Sequence, residues 1–203
     1  MRVNDDLMVN YSYQRADSHN SSENFTFGMS GAITKIDGGE EDGEFLGLTM
    51  IPEEGRSVMY GMRAMLPAKS TVDNPIVQIV SNLDGNREVF DIEIKKINPQ
   101  HASRMEMFAL CSYADKVGLG TGSTFGTFQT FRIYEDTARE NGLTKRVDES
   151  ISAWEQFKTE KVDWMSLCKS VLDILKTIND PKVMDLINKG NRLINLYSKC
   201  LSK

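Results

Sequence analysis

Histidine is nearly absent from this 203-residue chain, which holds only His19 and His101. Neither has a Cys, Asp or Glu at metal-ligand spacing, so no bound metal is expected. Cysteine is almost as sparse. Cys111, Cys168 and Cys200 are odd in number and widely separated, which suits free thiols in a reducing compartment better than a disulfide framework. A Cys111–His101 nucleophilic pair fails on distance, because ten residues along one helix separate two side chains by about 15 Å of rise. No apolar run approaches the roughly 18 to 20 residues of a membrane span, and the opening MRVNDDLMVNYSYQR lacks the pattern of a secretory signal. These absences predict a cytoplasmic protein with no membrane association.

Positive charge is also in short supply. The formal net charge is -5, and its distribution is uneven, because residues 161–203 carry eight Lys/Arg against four Asp/Glu. The remaining body is strongly acidic and repels nucleic acid, so no nucleic-acid partner is expected. The basic tail has the composition of a solvated helix face, and it could also meet an acidic partner.

What is present is an α+β pattern. Residues 1–43 lack a sustained period and read as a flexible lead-in. Within them stand the sequons at Asn20 and Asn24 and most of the acidic loop DGGEEDGE at 37–44. That loop does not follow the EF-hand order, since position three from Asp37 is Gly39 and position six is Asp42. From Glu44 to Ile97 the period is two. EFLGLTMIP and SVMYGMRAML form a hairpin around EEGR, and IVQIVSNL turns at Asp84-Gly85 into NREVFDIEIKKI. Phe90, Ile92 and Ile94 share one face while Asp91, Glu93 and Lys95 share the other. The expected sheet has three or four antiparallel strands with one dry and one wet face.

Helices follow. Asn98-Pro99 predicts the start of one that ends at Gly118, with Met105, Phe108 and Ala109 on its apolar side. A second is predicted from a cap at Ser123 or Thr124 to Asn141-Gly142, carrying an aromatic stripe of Phe125, Phe128, Phe131 and Tyr134. The stretch from Ile151 to Ile178 reads as one amphipathic run. Asn179-Asp180-Pro181 then breaks it, and Pro181 opens a last helix to Leu201. The expected organisation is a lead-in at 1–43, an α+β core domain at 44–142 covered by helices, and a C-terminal helical hairpin at 150–203.

Between the first two helices lies GLGTGSTFG, residues 118–126. No Lys stands where a Walker loop requires one, and the dinucleotide pattern counted from Gly118 meets Ser123 instead of Gly. A helix, not a strand, precedes the loop. Backbone N–H groups at the start of the next helix could still hold an anion, which makes Gly120, Thr121, Gly122, Ser123 and Thr124 the candidate ligand-binding residues. The candidate acid–base groups are Glu106, Tyr113 and Asp115. Glu106 also has a structural reading, as a helix-surface acid paired with Arg104 or Lys116.

The segments LTMIP, VMYGMRA, NPIVQIVSNLDG and INPQHASRMEMFALCSYADKVGLGTGSTFG resemble a family of proteins from clostridia-type Gram-positive bacteria. Its members share N-P-x-x-A-S-x-x-E-M-F-A-L-x-S-Y-x-D followed by G-T-F-G, and the resemblance spans about residues 44–132. It implies no activity, cofactor or site residue.

Two functional readings follow. In the first, the chain is a non-enzymatic protein-interaction module, binding a protein partner or a second copy through the amphipathic helices of 150–201, with eleven methionines available for an adaptable apolar surface. In the second, it is a small enzyme or anion-binding protein with its site at 118–126 near Glu106 and Tyr113. Neither reading requires a cofactor.

Overall fold

The computed structural model describes residues 32–36, 43–52, 59–83, 86–144, 151–178 and 180–201. His19, the sequons at Asn20 and Asn24, the 37–42 part of the acidic loop, and the turns at 53–56 and 84–85 lie outside them.

Among the described residues five strands form one antiparallel sheet, not the three or four expected: β1 (Ile33–Ile36), β2 (Glu44–Pro52), β3 (Met59–Leu66), β4 (Ile76–Leu83) and β5 (Asn86–Glu93), in the order β1-β5-β4-β3-β2. The added strand is β1, from the segment read as lead-in. Its pairing with β5 sets Ile33 opposite Ile92, and four residues are too few for a period to show in the sequence. Leu83 pairs with Asn86 across a two-residue connection, the spacing that the hairpin reading requires.

Met62 and Ala64 of β3, Val77 and Ile79 of β4, and Phe90 and Ile92 of β5 belong to the main core cluster beneath the helices. The opposite face is not simply wet. Met65, Val80 and Val89 form a second buried cluster there, and Val80 is 1% exposed. Asp91, expected in water, is buried and bonded by Lys69 from the β3–β4 loop. A long amine reaching back over the sheet from that loop allows the carboxylate to remain there. At the β2 edge the protection ends, and Phe45 and Leu48 are 57% and 60% exposed.

A short 3-10 helix at Ile94–Lys96 leads to α1 (Arg104–Lys116). The start of α1 falls later than Asn98-Pro99 suggests. Those two residues form a turn in which Gln100 N donates to Asn98 Oδ1 and His101 N to Asn98 O. Ser103 is the N-cap, closing a capping box with Glu106; two reciprocal bonds there outweigh the single advantage of Pro at a first helical position. The C-terminus of α1 follows the Schellman pattern. Gly118 (φ 73°) is the left-handed residue, and Leu119 N donates to Ala114 O at 2.8 Å.

α2 (Thr127–Glu140) starts after Gly126, not at a Ser123 or Thr124 cap. The aromatic stripe is correspondingly shorter: Phe128, Phe131 and Tyr134 are core, while Phe125 is 84% exposed. The run from 151 to 178 is two helices, α3 (Ala153–Thr159) and α4 (Trp164–Lys176). Asp163 caps α4, and a backbone bridge between Ala102 and Val162 pins the interruption to the entry of α1. α5 (Val183–Leu201) opens two residues beyond Pro181, after a turn in which Lys182 N donates to Asp180 Oδ1.

One hydrophobic cluster extends from Ala32 to Tyr197 and draws on both 44–142 and 150–201. α4 packs on α5, and both pack on α2. The approach of α5 to α2 depends on Gly190. A Cβ there would lie 1.8 Å from the Tyr134 hydroxyl, which donates to Leu186 O. Among the described residues no helix is long and apolar enough to cross a membrane.

Candidate functional site

The glycine loop is filled by bonds within the chain. Asp115, near the end of α1, accepts from Thr127 N at 2.7 Å and Thr127 Oγ1 at 2.6 Å. A carboxylate thus sits at the N-terminus of α2, where free N–H groups and the helix dipole favour negative charge. Thr121 N donates to Thr127 Oγ1, the Thr121 hydroxyl contacts that of Thr130, and Arg192 of α5 donates to Thr121 O. Gly120 is required by this arrangement, since a Cβ would lie 2.0 Å from Asp115 Oδ1. Gly122 has φ 74° and passes close to Arg192. Ser123 is half-buried and Thr124 exposed, and neither caps α2.

The acid–base candidates do not converge. Glu106 is 1% exposed, not a surface acid, and its partners are neither Arg104 nor Lys116. Its carboxylate accepts from Ser103 N at 2.6 Å and pairs with Lys161, which follows α3. Lys116 pairs instead with Glu44. Nine positions along α1 put Glu106 and Asp115 about 14 Å apart in rise, so one carboxylate closes the start of the helix while the other caps α2. Tyr113 is half-buried and packs against the core.

The three cysteines are brought into one neighbourhood around Tyr197. Burial is the main force on two of them and on Tyr197: it pushes the Cys168 thiol up to about 12, and it raises the Cys111 thiol and the Tyr197 hydroxyl well above their ordinary values. Protonated, buried thiols are poor nucleophiles and poor metal ligands. The Tyr197 hydroxyl faces Cys168 and, among the described residues, has no nitrogen or oxygen partner. Among the described residues no group of three or more His, Cys, Asp or Glu side chains is placed to hold a metal ion.

A second site lies elsewhere, in a cleft of about 340 Å³ between the β2 edge, α2 and α3. α3 crosses one end of the sheet above a row in which Thr49, Met62, Ser81 and Glu88 stand opposite one another on successive strands. At the β5 end, Trp154 Nε1 donates to Glu88 Oε2 at 2.8 Å and Lys35 donates to Oε1 at 2.7 Å. Burial pushes the Glu88 carboxyl up, but Lys35, Lys158 and Trp154 together hold it below the usual carboxylate range. At the β2 end, Ile51, Phe128 and Phe157 line the cleft, with Phe128 and Phe157 edge to face at 6.4 Å.

Arginines supply the polar side of the cleft. Arg104 is held by Glu135 at 2.5 Å and by Glu160, and its guanidinium lies 5.7 Å from the centroid of the Trp164 ring. Burial alone would lower its pKa; the two carboxylates outweigh burial and raise it. Arg139 lies 3.4 Å from Asp136 and 3.8 Å from Glu135. Arg132, half-buried between these pairs and Phe128, has no carboxylate partner among the described residues. The cleft can therefore offer an apolar wall and one guanidinium that no carboxylate of the described residues pairs with.

Sequence reasoning did not identify this site. Arg132, Glu135, Asp136 and Arg139 belong to a stretch whose aromatic residues stood out, and alternating charges on a helix read as a solvated face. A row of Arg beside Phe at helical spacing was the only available signal. No family model, no curated protein and no solved structure matches this chain.

Proposed function

We propose that the protein is a non-enzymatic binding module that takes its ligand in the cleft between β2, α2 and α3. The observation behind this reading is Arg132: a half-buried guanidinium with no carboxylate partner among the described residues, in a cleft of the size range of ligand sites, is a group awaiting a partner. At the glycine loop, by contrast, an incoming anion has to compete with the Asp115 carboxylate. That favours the cleft over the 118–126 loop as the place of binding. Mapping small aromatic fragments by amide chemical shift tests the choice. The expected shifts fall on Thr49, Met50, Arg132, Asp136 and Gln156; fragments that gather instead at 118–126 or along α5 remove the cleft from consideration.

A second reading keeps association through 150–201, where α4 and α5 form a helical hairpin that meets a second copy of the chain. Ile178, Met184 and Leu201 stay exposed at its ends, while its broad apolar face packs on α2 and the core. Light scattering on Met184→Lys is the test. A dimer that Met184→Lys converts to monomer supports this reading, and a monomeric parent protein removes it.

A further inference from the structure

We propose that the ligand of the cleft is a carboxylate of single negative charge carried on an apolar body, with Arg132 receiving the carboxylate and Phe128, Phe157 and Ile51 receiving the body. This assignment rests on reading the cleft as the binding site, and it adds the chemistry of what enters. Two observations carry it.

The charge of the lining is the first. Arg104, Arg132 and Arg139 face Glu135 and Asp136 in the same cleft. Arg104 is consumed by Glu135 and Glu160, and Arg139 leans on Asp136 and Glu135. One guanidinium therefore remains for a ligand, and two carboxylates nearby repel any second negative charge. A phosphate monoester, close to doubly charged at neutral pH, fits this balance worse than a carboxylate. The planar fork of Arg also matches a carboxylate through two parallel N–H···O bonds.

Geometry is the second. Arg132 stands one helical turn after Phe128 on α2, so both side chains face the same side of that helix. Phe157 of α3 meets Phe128 edge to face, and Ile51 of β2 shares the lining. The anion-receiving group and the apolar wall are thus adjacent, and the ligand has to be charged at one end and apolar at the other.

The test uses the full chain and three probes with the same ring: phenylacetate, its neutral isostere phenylacetamide, and benzyl phosphate. Binding is followed by amide shifts and titration calorimetry. Phenylacetate is expected to bind about tenfold tighter than phenylacetamide, through the charge-assisted pair. Added salt should weaken the acid and leave the amide unchanged. In Arg132→Gln the advantage of the acid should disappear while amide binding persists. Arg132→Lys, which keeps the charge but not the fork, should be intermediate, and it serves as the reference if Arg132→Gln loses its fold. Equal binding of acid and amide, or an undiminished preference in Arg132→Gln, overturns the carboxylate assignment and leaves the cleft reading standing. Tighter binding of benzyl phosphate overturns the single-charge argument. If none of the three probes shifts Thr49, Arg132 or Gln156, the cleft reading falls and the assignment with it.

Discussion

The N-terminus and the middle of α2 hold opposite kinds of polar chemistry. At its N-terminus, a loop rich in Gly, Ser and Thr looks like a binding motif, yet Asp115, Thr121 and Thr130 already complete its bonds. Farther along the same helix no motif is visible, yet Arg132 is left half-buried and without a carboxylate partner among the described residues. Residue type alone therefore does not mark a site. What matters is whether the rest of the chain has already satisfied the group, because a satisfied donor offers a ligand little and an unsatisfied one a good deal.

The sharpest way to break this comparison is to disturb the filled end. Gly120→Ala places a Cβ 2.0 Å from Asp115 Oδ1 and 2.6 Å from Thr127 Oγ1. Accommodating it expels the carboxylate, so overpacking adds to the loss of the cap. A destabilisation of about 2–4 kcal/mol is expected, read as the urea midpoint. A change below about 0.5 kcal/mol, the range of an ordinary surface substitution, means that Asp115 does not fill the loop as described.

Asp115→Ala removes the carboxylate without adding bulk. The expected cost is smaller, about 1–2 kcal/mol, for a lost helix cap and a buried Thr127 hydroxyl left short of an acceptor. This substitution also tests the comparison itself. With the internal carboxylate gone, the N-terminus of α2 becomes an open anion site, so inorganic phosphate should stabilise Asp115→Ala more than the parent protein. Equal stabilisation of the two by phosphate means that the loop was never an anion cradle, filled or empty.

These two substitutions also show what could and could not be read from the chain. Strand alternation at Phe90 and Ile92, the stop at Gly118, and the aromatic core of Phe128, Phe131 and Tyr134 depend on neighbours close in sequence. Such patterns are visible in one dimension. The sequence points to Ser123 or Thr124 as the α2 cap because a local side chain usually does that work. The actual acceptor comes from twelve residues earlier, on another helix. Strand β1 needed β5 to define it, and the interruption between α3 and α4 needed Ala102. The cleft was the least visible of all. Its walls come from four elements, and Arg132 differs from Arg104 only in what stands beside it.

Acidification sharpens the comparison at the cleft end. The folded pKa of Glu88 lies below its ordinary value, despite burial that pushes the other way, because Lys35, Lys158 and Trp154 favour the charged form. A carboxylate with a depressed folded pKa stabilises the fold above its unfolded pKa, and that contribution is lost as pH falls through the folded value. The docking of α3, and with it one wall of the cleft, should therefore weaken as pH falls below about 4.5. Trp154 fluorescence in a Trp164→Phe background would report the change. Glu88→Gln should cost about 0.5–1 kcal/mol at neutral pH, and its stability should depend less on pH in that window. An unchanged acid limb in Glu88→Gln assigns the pH dependence to other carboxylates.

The smallest expected effect on stability is the one that separates the loop from the cleft most cleanly. Arg132→Gln removes a guanidinium that bonds to no carboxylate among the described residues, and Gln keeps similar helix propensity. Its urea midpoint should therefore shift by no more than about 0.5 kcal/mol, in either direction. Glu135→Gln, three residues along the same helix, should cost more, because it deprives the buried Arg104 of one of its two carboxylates. A Gln at 132 as costly as a Gln at 135 would mean that Arg132 has structural work of its own in the fold. It would then no longer be the free group on which recognition in the cleft depends.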